Sequence, residues 1–479
     1  MNKRTKIVCT LGPATEKVGV IAKMVKAGMN VARLNFSHGT HEDHARLISN
    51  IKKVEKKTGE PVAILQDIRG PKIRVGIMPD KGVDLKDGAV ITFDTAKTEY
   101  SGGFVPIDFA TLHEHVKKGE RMLLNDGKME VSIVSVSGTK IETTVVVGGV
   151  LTSNKGINLP DSELEMSILS EKDRADVRFG VEHGVDMMAL SFVMRAKDIL
   201  DLRFLIEQYE KELGIKSEQP IRIIAKIERN EAVRNIDDIL AVADGVMVAR
   251  GDLGIEVPAQ HVPLIQKQLI DSALDAAKPV IVATQMLDSM QSNPRPTRAE
   301  VSDVANAVID HTDAVMLSNE TAVGKYPVQT VKTMADIIGE AEKSAYDNLP
   351  LREHHGVTTA VDNVISQMSR MLAEQVGANI ILAASISGET GRLISRHRPE
   401  LSVVVATQTP RVMHQLNLSW GVVPFILKPC RTIEELVARS VSQLKKQKRV
   451  KSGDKIVVVA GEPVGHAGHV NLLEVRGVG

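Results

Sequence analysis

From residue 6 onward, short and almost wholly apolar runs alternate with longer stretches whose apolar residues recur at helical spacing. The apolar runs predict strands at 6–10, 31–35, 62–67, 187–191, 221–226, 245–249, 280–284 and 314–318. Strands buried on both faces have no polar side to alternate with, so runs of this kind point to a parallel sheet. Eight of them, with helical patterns between, predict an α/β fold, a closed (β/α)8 TIM barrel. The rhythm breaks once. Between 71 and 167 the turn signals Lys86-Asp-Gly88, Asn125-Asp-Gly127 and Ser137-Gly138 separate alternating segments such as Glu130-Val-Ser-Ile-Val-Ser-Val136, which predicts an inserted all-β barrel domain placed as a lid. From 346 to 479 helix and strand alternate again, with strands expected at 380–384, 403–407, 422–427 and 456–460. These are too few for a second barrel and predict a C-terminal doubly wound α/β domain. The catalytic barrel is then expected over 1–70 and 168–345.

The polar residues in the barrel pattern fall at strand C-terminal ends, where barrel enzymes build their sites: Asn35, Asp67, Glu228, Asp252, Thr284 and Ser318. Two segments stand out, Ile224-Ala-Lys-Ile-Glu228 and Val248-Ala-Arg-Gly-Asp-Leu-Gly254. Side chains two apart on a strand share a face, so Lys226 is expected beside Glu228 and Arg250 beside Asp252. Two acids able to hold a divalent cation, with a lysine free to meet an anion, suit chemistry on a phosphorylated or carboxylated small molecule. The rival is a pair of structural salt bridges.

Composition narrows the function classes. Lys+Arg and Asp+Glu are both 60, so no global field draws nucleic acid or a membrane surface and any anion site must be local. The basic run Lys445-Lys-Gln-Lys-Arg-Val-Lys451 has no aromatic residues interleaved and reads as a solvated helix end. Cys9 and Cys430 have no metal-ligand spacing and indicate a reducing compartment. With no signal-peptide run and no apolar stretch of transmembrane length, the expected location is cytoplasmic.

Eight segments together resemble the pyruvate kinase family, in the family's order: Thr5-Lys-Ile-Val-Cys-Thr-Leu-Gly-Pro13, Ala32-Arg-Leu-Asn-Phe-Ser-His-Gly39, Gly70-Pro-Lys-Ile-Arg74, Asn154-Lys-Gly-Ile-Asn-Leu-Pro160, Ala225-Lys-Ile-Glu228, Met247-Val-Ala-Arg-Gly-Asp-Leu-Gly254, Ala283-Thr-Gln-Met-Leu-Asp-Ser-Met290 and Asn293-Pro-Arg-Pro-Thr-Arg-Ala-Glu300. The resemblance implies phosphoryl transfer from phosphoenolpyruvate to ADP, giving pyruvate and ATP, the last step of glycolysis. It implies that Glu228 and Asp252 hold Mg²⁺ or Mn²⁺ and that Lys226 neutralises the transferring phosphoryl group. Arg33 meets the substrate phosphate, Gly251 and Asp252 present N–H groups to the substrate carboxylate, and Arg74 and Lys155 reach the nucleotide phosphates. Thr284 orients the proton donor, with Ser318 and Glu320 extending that relay. A homotetramer is implied as well. A pyruvate-enolate lyase would share the two acids but has no use for Lys226, Arg74 and Lys155. A non-catalytic sensor would not keep every matched position filled.

The chain departs from the pattern in places. Many relatives hold K⁺ through residues matching Asn35, Ser37 and Asp67, with a glutamate where this chain has Lys72. A fixed ammonium supplies the charge the free ion otherwise brings, so activity without K⁺ is expected and the three residues are read as a cluster supporting the Arg33 loop. The family usually has glycine at His311, read here as an exposed loop histidine, and at Asn319, where asparagine would preserve a left-handed turn. Ser385, Ser387, Gly388 and Thr390 resemble the family's effector loop, and a sugar phosphate or AMP would be the effector. The same residues also suit an ordinary helix cap, and the two readings stand level. The segment Gly461-Glu-Pro-Val-Gly-His-Ala-Gly-His-Val470 lacks the threonine-rich stretch usual in relatives.

Overall fold

The computed structural model describes residues 3–70, 72–162, 169–217, 219–350, 361–463 and 470–479. Eight parallel strands close into a barrel: Lys6–Leu11, Val31–Asn35, Ala63–Ile68, Met187–Leu190, Arg222–Ile227, Gly245–Ala249, Val280–Ala283 and Ala314–Leu317. The first strand pairs with both the second and the eighth, which closes the ring. Alternate residues explain the continuously apolar runs. Val8, Val31, Leu65, Ala189, Met247 and Ile281 fill the interior, while Ile7, Cys9, Ala32, Ile64 and Val248 pack outward beneath the helices. One interior residue comes from elsewhere: Leu418, in the C-terminal domain, joins the inner cluster and plugs the barrel floor.

The insertion is all-β, with its own core of Val75, Phe93, Met122, Val131, Ile141 and others. A six-stranded sheet runs in the order Ile157–Asn158, Arg121–Leu124, Met129–Ser137, Lys140–Val147, Val90–Asp94, Phe104–Pro106, beside the pair Val83–Leu85 and Gly149–Leu151. The turn signals sit where the chain reverses: Asn125, Asp126 and Gly127 all have positive φ (51°, 56° and 77°) between two antiparallel strands. This hairpin leans on the barrel, since a Cβ at Gly127 would stand 3.3 Å from Ile255.

The C-terminal sheet has five strands, one more than the pattern predicts. Four are parallel, and Leu472–Gly477 adds antiparallel to Lys455–Ala460 at the edge. Its sequence, LLEVRG, carries two charges in six residues and ends in glycine, so it does not stand out as a strand. The basic run ends the helix Ile433–Lys446 and lies mostly in solvent. Residues 464–469 of the segment without threonines lie outside the described residues. No described helix is long and apolar enough to cross a membrane. Cys9 is buried and Cys430 half-buried, both free.

Candidate active site

Lys226 and Glu228 emerge together at the C-terminal end of the strand Arg222–Ile227, as a period of two requires. The Lys226 ammonium lies 3.0 Å from Glu228 Oε1 and 3.3 Å from Asp67 Oδ1, and donates to Ser191 Oγ at 2.6 Å. Asp67 is also gripped by Arg33, whose Nε donates to Oδ2 at 2.7 Å while Nη1 donates to Thr10 Oγ1 at 2.8 Å. All four charged groups are buried. For Asp67, burial pushes the carboxyl up, but Arg33 and Lys226 outweigh it and hold it below the usual range. Lys226 is the mirror case: burial lowers it, Asp67 and Glu228 raise it, and the ammonium is held. Glu228 is pushed up to about 7 by burial, with the like charge of Asp252 adding and Lys226 opposing. Its other oxygen, Oε2, accepts from the Phe192 N–H at 2.6 Å. The pattern did not single out Ser191, Thr10 or Phe192. Ser191, directly after the fourth strand, obeys the same strand-end rule as its neighbours and was recoverable from it.

Arg250 and Asp252 do not share a face, contrary to expectation. The strand ends at Ala249, and Arg250–Glu256 is a helix, on which residues two apart diverge. Arg250 turns away to a bidentate pair with Asp303 (2.6 and 2.7 Å) and donates to the Thr284 carbonyl at 2.8 Å. Asp252 faces the lid instead: Lys72 Nζ lies 3.9 Å from it and 3.1 Å from Asp126 of the hairpin. Thr284 sits at φ 71°, a strained setting for a β-branched residue, and its Oγ1 accepts from the Gly251 N–H at 2.8 Å. Arg74 and Lys155 lie on adjoining lid segments joined by a bridge between Arg74 and Gly156; Arg74 Nη1 donates to the Asn154 carbonyl at 2.8 Å. A buried bond from Asn158 Nδ2 to Glu256 Oε1, 3.0 Å, fastens the lid to the helix that carries Asp252.

The remaining predicted residues are placed as follows. Asn35 Oδ1 accepts from the Ser37 N–H at 3.1 Å, a local turn beside Arg33. Glu320 is buried, and its carboxylate accepts from the N–H groups of Ser318 (2.7 Å) and Leu287 (3.2 Å), tying the ends of the seventh and eighth barrel strands together. His311 is not an exposed loop residue: it is buried, at φ 66°, and its carbonyl accepts from Arg398 Nη2 at 2.8 Å. Asn319 is not left-handed either; it opens the short helix Asn319–Ala322. Ser385, Ser387, Gly388 and Thr390 connect the strand Ile380–Ala384 to the helix Glu389–Ser395, whose cap is Gly388 at φ 80° with no side-chain capping bond. Ser387 Oγ accepts from the Glu389 N–H at 3.4 Å, a side-chain contact at the helix start, so the cap and effector readings of these residues both stand.

Among the described residues no group of three or more His, Cys, Asp or Glu converges to hold a metal. The candidate set is the carboxylate pair Glu228 and Asp252, the charge of Asp252 helping to push the Glu228 carboxyl up. A hard divalent cation with two protein oxygens suits that pair.

Comparison with known proteins gives a consistent result. Residues 2–331 match the family model described as pyruvate kinase, barrel domain, and residues 363–476 the one described as pyruvate kinase, alpha/beta domain. The chain is 45% identical to a pyruvate kinase of Geobacillus stearothermophilus, over 99% of this chain and 80% of the relative, and 43% identical to one of Sporosarcina psychrophila, over 100% and 81%. Among solved structures, a pyruvate kinase from Cryptosporidium parvum superposes with a TM-score of 0.91 at 33% identity, covering 100% of this chain and 97% of that one.

Proposed function

The chain belongs to the pyruvate kinase family and is a phosphotransferase of that type, and from that premise we propose how its own residues carry phosphoryl transfer from phosphoenolpyruvate to ADP. The bond between phosphorus and the enol oxygen breaks, an oxygen of ADP takes the phosphoryl group, and the enolate left behind takes a proton at its methylene carbon to give pyruvate. A loose transition state spreads negative charge over the equatorial phosphoryl oxygens, so the main requirement is preorganised positive charge. Lys226 and Arg33 provide it. The observation that carries this reading is the buried Lys226 ammonium held between Asp67 and Glu228 at the barrel mouth.

Asp67 and Ser191 fix the direction of the Lys226 amine, so little reorganisation remains when charge moves. Glu228 and Asp252 would hold Mg²⁺ or Mn²⁺, which supplies Lewis-acid stabilisation of the enolate and phosphoryl oxygens when bound. The N–H groups of Gly251 and Asp252 receive the substrate carboxylate; Thr284, whose Oγ1 accepts from the Gly251 N–H, orients the proton donor beside the methylene carbon. Ser318 and Glu320 support it by fixing the adjoining strand end. Arg74 and Lys155 meet the nucleotide phosphates from the lid. The domains divide as 1–70 with 168–345, 71–167, and 346–479.

Lys72 replaces K⁺. Its ammonium already stands in the site beside Asp252, and both oxygens of Asp67 already face cations, which leaves Asn35, Ser37 and Asp67 as a supporting cluster. The loop of Ser385, Ser387, Gly388 and Thr390 takes the phosphate of an activating sugar phosphate or AMP at the start of the helix Glu389–Ser395. The working enzyme is a cytoplasmic homotetramer.

The test is pyruvate formation from phosphoenolpyruvate with and without ADP and Mg²⁺. Turnover should require both, and should be unchanged when K⁺ is replaced by a bulky organic cation. Failure to form pyruvate with both present defeats the reading, and strong activation by K⁺ defeats the role of Lys72.

A further inference from the structure

A second group of cations lies at the opposite end of the barrel, where phosphoryl transfer makes no use of it. Between the barrel floor at Lys278 and Pro279 and the C-terminal-domain helix Glu389–Ser395 is a narrow recess, open to solvent, whose closed part has room for about one water. Lys278, Arg392, Arg396 and Arg398 line it, against a single carboxylate, Asp313. That carboxylate is already taken: it accepts from Arg398 Nη2 at 2.8 Å and from the N–H groups of Trp420 at 2.9 Å and Val280 at 3.2 Å.

Among the described residues the other three cations have no carboxylate bonded to them. Arg396, buried, meets neutral acceptors: the Asp275 carbonyl at 3.3 Å, Asn363 Oδ1 at 3.1 Å and, weakly, His397 Nε2 at 3.5 Å. Arg392 reaches the Ser387 carbonyl at 3.4 Å. The Lys278 ammonium forms no hydrogen bond or ion pair among the described residues. More distant acids act on them only through space: Asp275 and Asp362 on Arg396, Glu389 and Asp244 on Arg392, and Asp244 on Lys278. Asp244 is paired with Arg203 and Arg222, both at 2.9 Å, and Glu389 is exposed at the start of the helix. Of the three only Arg396 is buried, while Lys278 and Arg392 are partly exposed; a cation without a carboxylate partner costs more the more deeply it is buried. The local field reports the same deficit: burial and the neighbouring Arg222 push the Arg392 guanidinium down to about 9, and burial lowers the Lys278 ammonium.

We propose that this recess is an oxyanion site: a tetrahedral dianion, free phosphate or the phosphoryl group of a small metabolite, binds between Lys278 of the barrel and Arg392 and Arg396 of the C-terminal domain. Guanidinium forks and an ammonium are the donors such an ion selects. The closed part of the recess is too small for a phosphoryl group, so the ion sits at its mouth, against Lys278 and Arg392, which are both partly exposed. Because the donors come from both domains, the ion cross-links them. The site is separate from the loop of Ser385, Ser387, Gly388 and Thr390, none of which lines the recess.

The experiment is equilibrium dialysis of labelled inorganic phosphate against the full chain, with phosphoenolpyruvate saturating the catalytic site. The variants are Lys278→Met, Arg392→Gln and, as control, Ser387→Ala. Wild type and Ser387→Ala should bind about one further equivalent, and Lys278→Met and Arg392→Gln should bind it at least ~10-fold more weakly, as expected for loss of one charge-assisted donor. Thermal melts guard against misfolding: phosphate should raise the wild-type Tm, while Lys278→Met, relieved of an unpaired charge, should melt no lower without phosphate and gain nothing from it. A small sugar phosphate displacing the label more strongly than phosphate itself identifies a metabolite as the occupant; equal or weaker displacement identifies the free ion. Binding that is absent in wild type, or equal in wild type and Lys278→Met, overturns the site. A loss confined to Ser387→Ala overturns it too, by moving the ion to the loop.

Discussion

A single ammonium group decides how well this barrel mouth can carry a phosphoryl group in flight. Lys226 has three partners around its amine and no freedom to wander, so its contribution is made in the transition state more than in the ground state. Lys226→Met should lower kcat by ~10²–10³, the cost of removing one preorganised donor, while KM for phosphoenolpyruvate moves far less; steady-state kinetics separates the two. A variant whose KM rises with kcat intact would reassign the lysine to substrate binding. Lys72 offers a complementary test. Lys72→Glu removes the cation beside Asp252 and should make turnover depend on added K⁺, read as the ratio of rates in KCl and in an organic-cation salt. At this scale the sequence was legible where a period of two continued to the strand end, as for Lys226 and Glu228. It misled where the backbone changed state first. Arg250 left the site because a helix begins there, and His311, classed as exposed, is buried with a backbone that an ordinary side chain resists.

Elements matter here through how closely they approach. The pair Val83–Leu85 and Gly149–Leu151 packs so tightly at Gly148 that a Cβ there would stand 2.1 Å from the Leu85 carbonyl oxygen. Backbone cannot yield as a flexible side chain can, so Gly148→Ala should destabilise the lid by about 1–3 kcal/mol. Hydrogen exchange should then show faster opening confined to residues 83–151, with the barrel strands still protected; uniform loss of protection would mean that lid and barrel unfold as one unit. The lid itself was readable from its turns, since Asn-Asp-Gly supplies the positive φ values a hairpin requires. What could not be read was its seating. Asn158 on Glu256 and Lys72 between Asp126 and Asp252 join residues 54 to 180 positions apart, and no local pattern encodes such contacts. The edge strand Leu472–Gly477 escaped for the opposite reason, being stabilised by its neighbour more than by its own composition.

At the scale of the whole molecule, the C-terminal domain is wedged into the barrel floor. Leu418 fills the bottom of the barrel interior, Trp420 lies between the guanidinium groups of Arg4 (5.0 Å) and Arg398 (5.1 Å), and His414 bridges two barrel acids, Glu55 at 2.6 Å and Asp186 at 3.1 Å. The contacts to the barrel were not visible along the chain, because His414 lies 359 positions from Glu55 and 228 from Asp186. The histidine makes the junction sensitive to pH. Burial alone would lower its pKa, but hydrogen bonds to Asp186 and Glu55 and their charges raise it from 6.5 to about 10. A group bound more tightly to its proton in the folded state stabilises that state fully below its unfolded pKa and stops doing so as pH rises through the folded one. The junction should therefore weaken between about pH 6.5 and 10, by at most roughly 4–5 kcal/mol at 1.36 kcal/mol for each tenfold change in proton affinity. Other groups titrate across that range, so the informative quantity is the difference between wild type and His414→Gln in urea-unfolding free energy. That difference should be largest near pH 6 and shrink toward pH 10. Two curves that stay parallel would show that the imidazole is not charged in the folded protein and that Glu55 and Asp186 are held by something else.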